Sequence, residues 1–450
     1  MSDRLSQESK RITDIDQYLS EIAQNTARCR DRVKGKSVKT FLKIGALACV
    51  AALSLTACGG GGSTGGDAAG STTIKILAPS YADSTKTDWE AIITEFNKTH
   101  PDVKVELQIE GWDDFTSKVQ ARIQAKDMPD ILNDNAFAAS ADGGLLYPID
   151  EVISADVLNT IEPALLKNGE GADGTKWAAP DVASVRELTY NTQILADSGV
   201  ASPPTTWAEL EDACAKIKAK FPDIYPYGMP LGKEEAQVES SLFVWGAGAN
   251  WVDGDNLTAT SDGVKEGFAE MKKLIDQGCT QPNAGSTNRQ DVVDLFDNGK
   301  VAMYNGHSGL FSKTPDTIKY DTAPVFSKNG DPVVVGVTDF ILAFDNGDEA
   351  RKAATKDFLD LFYSDAMYKN WFKPSGLLPV TQNIIKEESA GADPLLAKYY
   401  ADLPKVKFLP VGNPQWDVLQ GALQSSAGKI ASGDVDTVLE GVQAEFEAGL

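Results

Sequence analysis

The chain has 450 residues with 42 Lys and Arg against 65 Asp and Glu, a net charge of −23. Residues 1–57 hold ten of the basic and six of the acidic residues, so the remainder carries 32 basic and 59 acidic groups and a net charge of −27. That balance disfavours nucleic acid and anionic lipid surfaces as partners and favours solubility, and the length suits two domains better than one core.

The first readable element is an address. Lys34, Lys36, Lys39 and Lys43 precede an apolar run from Ile44 to Leu55, the charged-then-apolar order of a secretory signal. The run is shorter than the roughly 20 residues a membrane span needs. Leu55-Thr56-Ala57-Cys58 follows and resembles the lipobox of bacterial lipoproteins, which implies cleavage before Cys58 and acylation of its thiol. Residues 33–57 are therefore expected to be a signal peptide. Residues 58–72, with Gly59-Gly60-Gly61-Gly62-Ser63-Thr64-Gly65-Gly66, form a flexible tether reaching roughly 20 Å. Residues 1–32 are either a cytoplasmic extension or the product of a start placed too early.

Beyond the tether, Thr73–Leu77 reads as a strand, and Trp89, Ile92, Ile93 and Phe96 recur at helical spacing. Residues 103–109 alternate apolar and polar as a half-buried strand does. Phe115, Val119 and Ile123 mark the next helix, and Ile131-Leu132 a third strand. The β-α-β-α-β order predicts a mostly parallel sheet with helices on its faces, and such sheets bind ligands beyond the carboxyl ends of their strands. Tyr81, Trp112 and Asn133-Asp134-Asn135 fall there. Trp112 would stack on a ligand or simply pack against the sheet; Asp134 would accept from two hydroxyls or belong to a capped loop.

Thr206 and Glu209 have capping-box spacing, so a helix starts at Trp207. Phe296-Asp297-Asn298-Gly299-Lys300 reads as a helix end and glycine stop before a strand over Lys300–Tyr304. Val333–Phe344 is strand-like, and Ala350, Ala354, Phe358 and Leu361 mark a helix over Glu349–Tyr363. Past Cys58 the only cysteines are Cys214 and Cys279, which in an exported chain either close one disulfide or stay as two small buried thiols.

Several segments, in order, resemble the bacterial extracellular solute-binding proteins of family 1, the maltose-binding-protein-like receptors of carbohydrate ABC importers. They include Phe96-Asn97-Lys98-Thr99-His100-Pro101, Pro129-Asp130-Ile131, Gly144-Leu145-Leu146-Tyr147-Pro148-Ile149-Asp150, Trp177-Ala178-Ala179-Pro180, Leu188-Thr189-Tyr190-Asn191, Pro204-Thr205-Thr206-Trp207 and Ser375-Gly376-Leu377-Leu378-Pro379. The resemblance implies an α/β fold of the two-lobed periplasmic-binding-protein type II kind, with a ligand cleft and hinge closure. The chain would cross between lobes near 184–188, 335–340 and 378–380, giving a first lobe of 73–184 plus 340–379 and a second of 185–339 plus 380–450. It implies further contacts at Ser184 (a serine where the family often has an acid) with Arg186 beside it, at Asn305 and His307 after the Lys300 strand, and at Trp416, similar to a late sugar-stacking aromatic. His307 is one of only two histidines and would serve equally as a core or surface residue. Asp339 stands among apolar residues of a crossing, and Trp245 precedes glycines that suggest close backbone approach.

Sugars offer hydroxyls and apolar ring faces, so planar polar side chains with aromatic platforms suit them. The expectation is a lipid-anchored, monomeric receptor on the outer face of a Gram-positive cell membrane, delivering sugar to ABC permease subunits without cofactor, metal or catalysis. A polyamine receptor of the same fold and a secreted glycoside hydrolase are the alternatives. Among catalytic signatures, the one Gly-x-Ser-x-Gly match, Gly61–Gly65, lies in the tether without the strand and helix of a nucleophile elbow.

Overall fold

A computed structural model describes residues 72–450 apart from 113–114 and 254–255. The signal, lipidation at Cys58, the tether to Ser71 and the extension 1–32 lie outside the described residues. Among those described, no helix is long and apolar enough to cross a membrane.

The parallel start appears as the alternation dictates. Strand β1 (Thr72–Pro79) runs parallel to β2 (Val103–Glu110) and to β3 (Ile131–Asp134), with Ile74 beside Val105 and Ile76 beside Ile131. The intervening helix Thr85–Phe96 turns Trp89, Ile92 and Phe96 inward at i, i+3 and i+7. Trp89 stacks on Phe362, ring centroids 5.1 Å apart, so this face is pinned against helix Glu349–Phe362.

Strand β4 (Ala179–Val185) leads into β5 (Glu187–Asn191) with a single residue, Arg186, between them. β4 belongs to the first sheet and β5 to a second one, so Arg186 is itself the first crossing. The second sheet adds β6 (Tyr225–Gly228); a small hairpin of β7 (Val252–Asp253) and β8 (Asn256–Leu257) stands apart from it. β9 (Val301–Gly306) and β10 (Tyr320–Ala323) complete the order β10-β5-β9-β6. The chain then returns: β11 (Val335–Ala343) enters the first sheet antiparallel to both β3 and β4. Its register slips between Asp339 and Phe340, leaving Asp181 of β4 as the extra residue. Such a bulge re-aims side chains locally.

The capping box at Trp207 forms as its spacing predicts: Thr206 Oγ1 accepts from the Glu209 amide at 3.1 Å, and Glu209 Oε2 accepts from the Thr206 amide at 3.3 Å. Cys214 and Cys279 are joined in a disulfide, Cα atoms 5.7 Å apart. The expected last crossing near 378–380 is corrected. Val380, Ile384, Tyr399 and Leu403 pack with Trp89 and Ile74 in the first core, and β12 (Lys407–Phe408) joins the first sheet beside Val335. Only from Leu409 and Val411 onward, through helices Trp416–Ser426 and Val435–Gly449, does the chain pack with the second lobe's Phe268 and Trp251. Helical spacing announces a buried face without saying which core receives it.

Candidate functional site

A cleft of about 810 Å³ opens where the two sheets meet at these crossings. Tyr81, Trp112 and Asn135 reach it just past the carboxyl ends of β1, β2 and β3, the location a parallel sheet favours. Ser184, Arg186, Thr338 and Asp339 come from the crossings, and Glu235, Gln237, Arg289 and His307 from the second lobe.

On the first side, Tyr81 Oη donates to Asp339 Oδ2 at 2.8 Å, and its ring meets Trp112 edge-on, centroids 5.8 Å apart. Trp371 supports the same ring from below at 6.0 Å. Trp371 and Phe372 are otherwise core, as helix packing predicts. Burial pushes Asp339 up to about 6, against the Tyr81 hydrogen bond and the Arg186 charge, which lower it. Burial, then the Asp339 charge, hold the bulged Asp181 well above the carboxylate range. Burial and these two acids also raise Tyr81, so its hydroxyl stays a donor.

On the other side lies an ion network. Arg186, 3 % exposed, donates through Nη1 to Ser184 Oγ at 3.2 Å and through Nη2 to Glu235. Arg289 donates to the same Glu235, to the Asn305 carbonyl and, at 3.4 Å, to Glu239. Burial alone would raise Glu235, but the Arg186 and Arg289 charges outweigh it and hold the carboxyl at about 2. Burial, then the Arg186 charge, depress His307 well below the usual imidazole range, leaving a neutral ring. Both guanidinium groups are thus already compensated, Arg186 by Glu235 and Arg289 by Glu235 and Glu239.

The two lobes also touch across the cleft mouth. Ser308 Oγ donates to the Gly376 carbonyl at 2.8 Å, and Gly309 lies so close that a Cβ there would stand 2.8 Å from the Ser375 carbonyl oxygen. Gly376 takes φ +67°, which favours glycine.

Of the residues expected in the site, Tyr81, Trp112, Asn135, Ser184, Arg186, His307 and Asp339 line the cleft together. The others do not. Asn133 is fully buried and donates to Asp181 Oδ2 at 2.8 Å and to the Phe340 carbonyl at 3.2 Å, knitting β3 to the bulge. Asn305 donates to Tyr227 Oη at 2.6 Å inside the second lobe. Asp134 lies behind Asn135, accepting its amide at 2.7 Å. Trp245 packs half-buried on the second core. Trp416 is 0 % exposed, packs on Trp251 and donates to Gln420 Oε1 at 3.0 Å, so it is a core tryptophan rather than a ligand platform. Sequence reasoning missed Glu235, Gln237, Arg289 and Thr338. Glu235 and Gln237 begin helix Ala236–Gly246, and Arg289 begins helix Arg289–Asp297 behind the Asn288–Asp291 capping box. That box was the one signal that could have drawn attention to them.

Among the described residues no group of three or more His, Cys, Asp or Glu is placed to hold a metal. Residues 91–398 match the family described as bacterial extracellular solute-binding protein. A binding protein of Brucella abortus (strain 2308) is 26 % identical over 391 residues, spanning 83 % of this chain and 92 % of the relative. The melibiose/raffinose/stachyose-binding protein MelE of Bacillus subtilis (strain 168) is 23 % identical over 394 residues, 80 % of this chain and 86 % of its own. The sugar transporter structure from Arthrobacter chlorophenolicus A6 with bound laminaribiose superposes with a TM-score of 0.74 at 20 % identity, covering 84 % of this chain and 99 % of that one. The two-lobed architecture is shared with that solved structure.

Proposed function

This chain belongs to the bacterial extracellular solute-binding proteins, and from that premise we propose that it captures a neutral mono- or oligosaccharide in the cleft between its lobes and delivers it to the permease of an ABC importer. The observation that carries this is the pairing of the aromatic edge formed by Tyr81 and Trp112 with a polar wall whose buried cations are already neutralised by Glu235 and Glu239. Neither buried guanidinium is left free to hold an anion, whereas a sugar presents an apolar face to the rings and hydroxyls to the amides and carboxylates. The volume falls within the roughly 300–1,000 Å³ common for small-molecule sites.

Capture breaks no covalent bond in this reading. The receptor works as a monomer held to the outer face of the membrane by the acylated Cys58, and its lobes are 72–185 with 335–408 and 186–334 with 409–450. The relatives that bind melibiose and maltotriose support a sugar ligand.

The test is a thermal-shift panel of maltose, raffinose, laminaribiose and diacetylchitobiose, with spermidine as the cationic control. A sugar at a hundred times its Kd should stabilise the protein by about 2.7 kcal/mol. No shift with any sugar, together with stabilisation by spermidine, would refute the sugar and favour a polyamine. Hydrolysis of a sugar by the purified protein would refute the non-catalytic reading.

A further inference from the structure

We propose that Glu235 is the residue that reserves the cleft for uncharged sugars: its carboxylate fills, from within the chain, a two-arginine site that would otherwise take the carboxylate of an acidic sugar such as a uronate. The inference rests on the sugar reading above and names the side chain that sets the charge of the sugar accepted.

The arrangement is that of a bound carboxylate. Arg186 Nη2 donates to Glu235 Oε1 and Arg289 Nε to Glu235 Oε2, so each oxygen is held by a different guanidinium. Both arginine side chains are 3 % exposed, whereas that of Glu235 is 18 % exposed, and all three residues line the cleft. The carboxylate therefore stands between the guanidinium groups and the space a ligand enters.

The arginines have other anchors. Arg186 is fixed by its amide, which donates to the Val335 carbonyl at 2.8 Å, and by Nη1, which donates to Ser184 Oγ at 3.2 Å. Arg289 donates through Nη1 to the Asn305 carbonyl and through Nη2, at 3.4 Å, to Glu239, which is fully buried on the side away from the cleft entrance. Glu235 precedes helix Ala236–Gly246 and makes no side-chain cap to it, so the helix start does not depend on that carboxylate. Two guanidinium groups would thus keep their places if the carboxylate were removed.

Charge decides what the site admits. With Glu235 in place, the two guanidinium groups face two carboxylates, and a ligand carboxylate brought to the same point would meet a like charge. Without it, two buried cations would be left with Glu239 alone, and a buried charge short of its partner is costly enough to draw in an anion. Arginine forks suit a carboxylate best among anions of a sugar's size. Asp339 and Glu234 also border the site, Asp339 accepting from Tyr81 and Glu234 from the Arg289 amide at 3.2 Å. Both already coexist with the Glu235 carboxylate, so neither bars a ligand carboxylate standing in its place.

The test is to empty the site and refill it. Glu235→Ala removes a methylene and a carboxylate, which acetate replaces almost atom for atom. Acetate, compared with chloride at equal ionic strength, should raise the melting temperature of Glu235→Ala and leave that of the parent unchanged. Galacturonate, titrated by calorimetry beside galactose, should bind Glu235→Ala about tenfold or more tightly than it binds the parent. Glu235→Gln keeps the side-chain volume and carries the test if the alanine variant does not fold; with the like charge gone, its affinity for galacturonate should also exceed the parent's. A folded variant that responds alike to acetate and chloride and binds galacturonate no better than the parent would overturn the role of Glu235 while leaving sugar capture standing. Acetate rescue in a protein whose parent binds no sugar would overturn the sugar reading and keep the two-arginine site.

Discussion

Replacing Asp134 by Asn should flatten the dependence of stability on pH. Asp134 ends β3 at 7 % exposure, and burial first, then the charges of Asp417 and Asp339, push its carboxyl up to about 8 despite the Asn135 amide it accepts. In the unfolded chain an aspartate titrates near 3.9. Across the interval between those values the folded protein holds a proton that the unfolded chain has released. Stability is therefore greatest below the unfolded value and is lost as pH rises towards the folded one, by about 1.4 kcal/mol per pH unit from this group. From pH 5 to pH 7 the loss from Asp134 amounts to about 2.7 kcal/mol. Burial raises Glu187 to about 7 and Asp417 to about 6, and Asp339 likewise stands at about 6, so these groups add slope of the same sign. Glu235, at about 2, has the opposite sign, but its window closes below the ordinary glutamate value and leaves this interval untouched. Asn keeps the side-chain shape and an oxygen for the Asn135 amide but cannot ionise. Urea unfolding at pH 5, 6 and 7 should show the parent losing about 2.7 kcal/mol more than Asp134→Asn across the range. Parallel slopes for the two proteins would refute the assignment of that proton to Asp134.

Two further substitutions separate packing from capture. Trp112→Ala should weaken sugar binding by about 1–3 kcal/mol with little change in folding, because the ring lies at the cleft edge; Trp416→Ala should instead cost about 3–5 kcal/mol of stability by emptying the second core. Calorimetry and denaturant unfolding of both read out the distinction, and a reversed pattern would exchange their roles. Gly309→Ala places a methyl 2.8 Å from the Ser375 carbonyl oxygen and 3.2 Å from the His307 ring. Crowding of that order costs about 1–3 kcal/mol, and it falls on the conformation in which the lobes meet. Capture should weaken about five- to 150-fold with each lobe's folding intact; an unaltered Kd would show that this contact does not limit closure.

The opening β-α-β-α-β unit was legible because each element carries its own period: Trp89, Ile92 and Phe96 at helical spacing, and residues 103–109 in alternation. Sites placed by strand ends, Tyr81 and Trp112, followed from topology alone. Residues 380–408 were misplaced because an amphipathic helix such as Gln382–Gly391 states that it has a buried face and says nothing of whose core covers it. Trp416 failed for a related reason, since a tryptophan at a helix start looks the same whether its ring enters a cleft or packs on Trp251. Glu235 and Arg289 were invisible as a pair. They are 54 residues apart in the chain, and only the folded second lobe brings one carboxylate between two guanidinium groups.

The return of the chain through β11 sets an order on assembly during export. β11 is the strand that β3, β4 and β12 all pair with, yet it comes from Val335–Ala343, 150 residues after β4 ends at Val185. A chain emerging N-terminus first can pair β1 with β2 and β3 early, but Asp339 and Thr338 reach the crossing only when most of the protein is outside. Until β11 is in place the cleft therefore has its Arg186–Glu235–Arg289 network but lacks Asp339, the acceptor of the Tyr81 hydroxyl. Competence to take up solute arrives as a single late event, together with the long-range closure that makes such pairings slow to form.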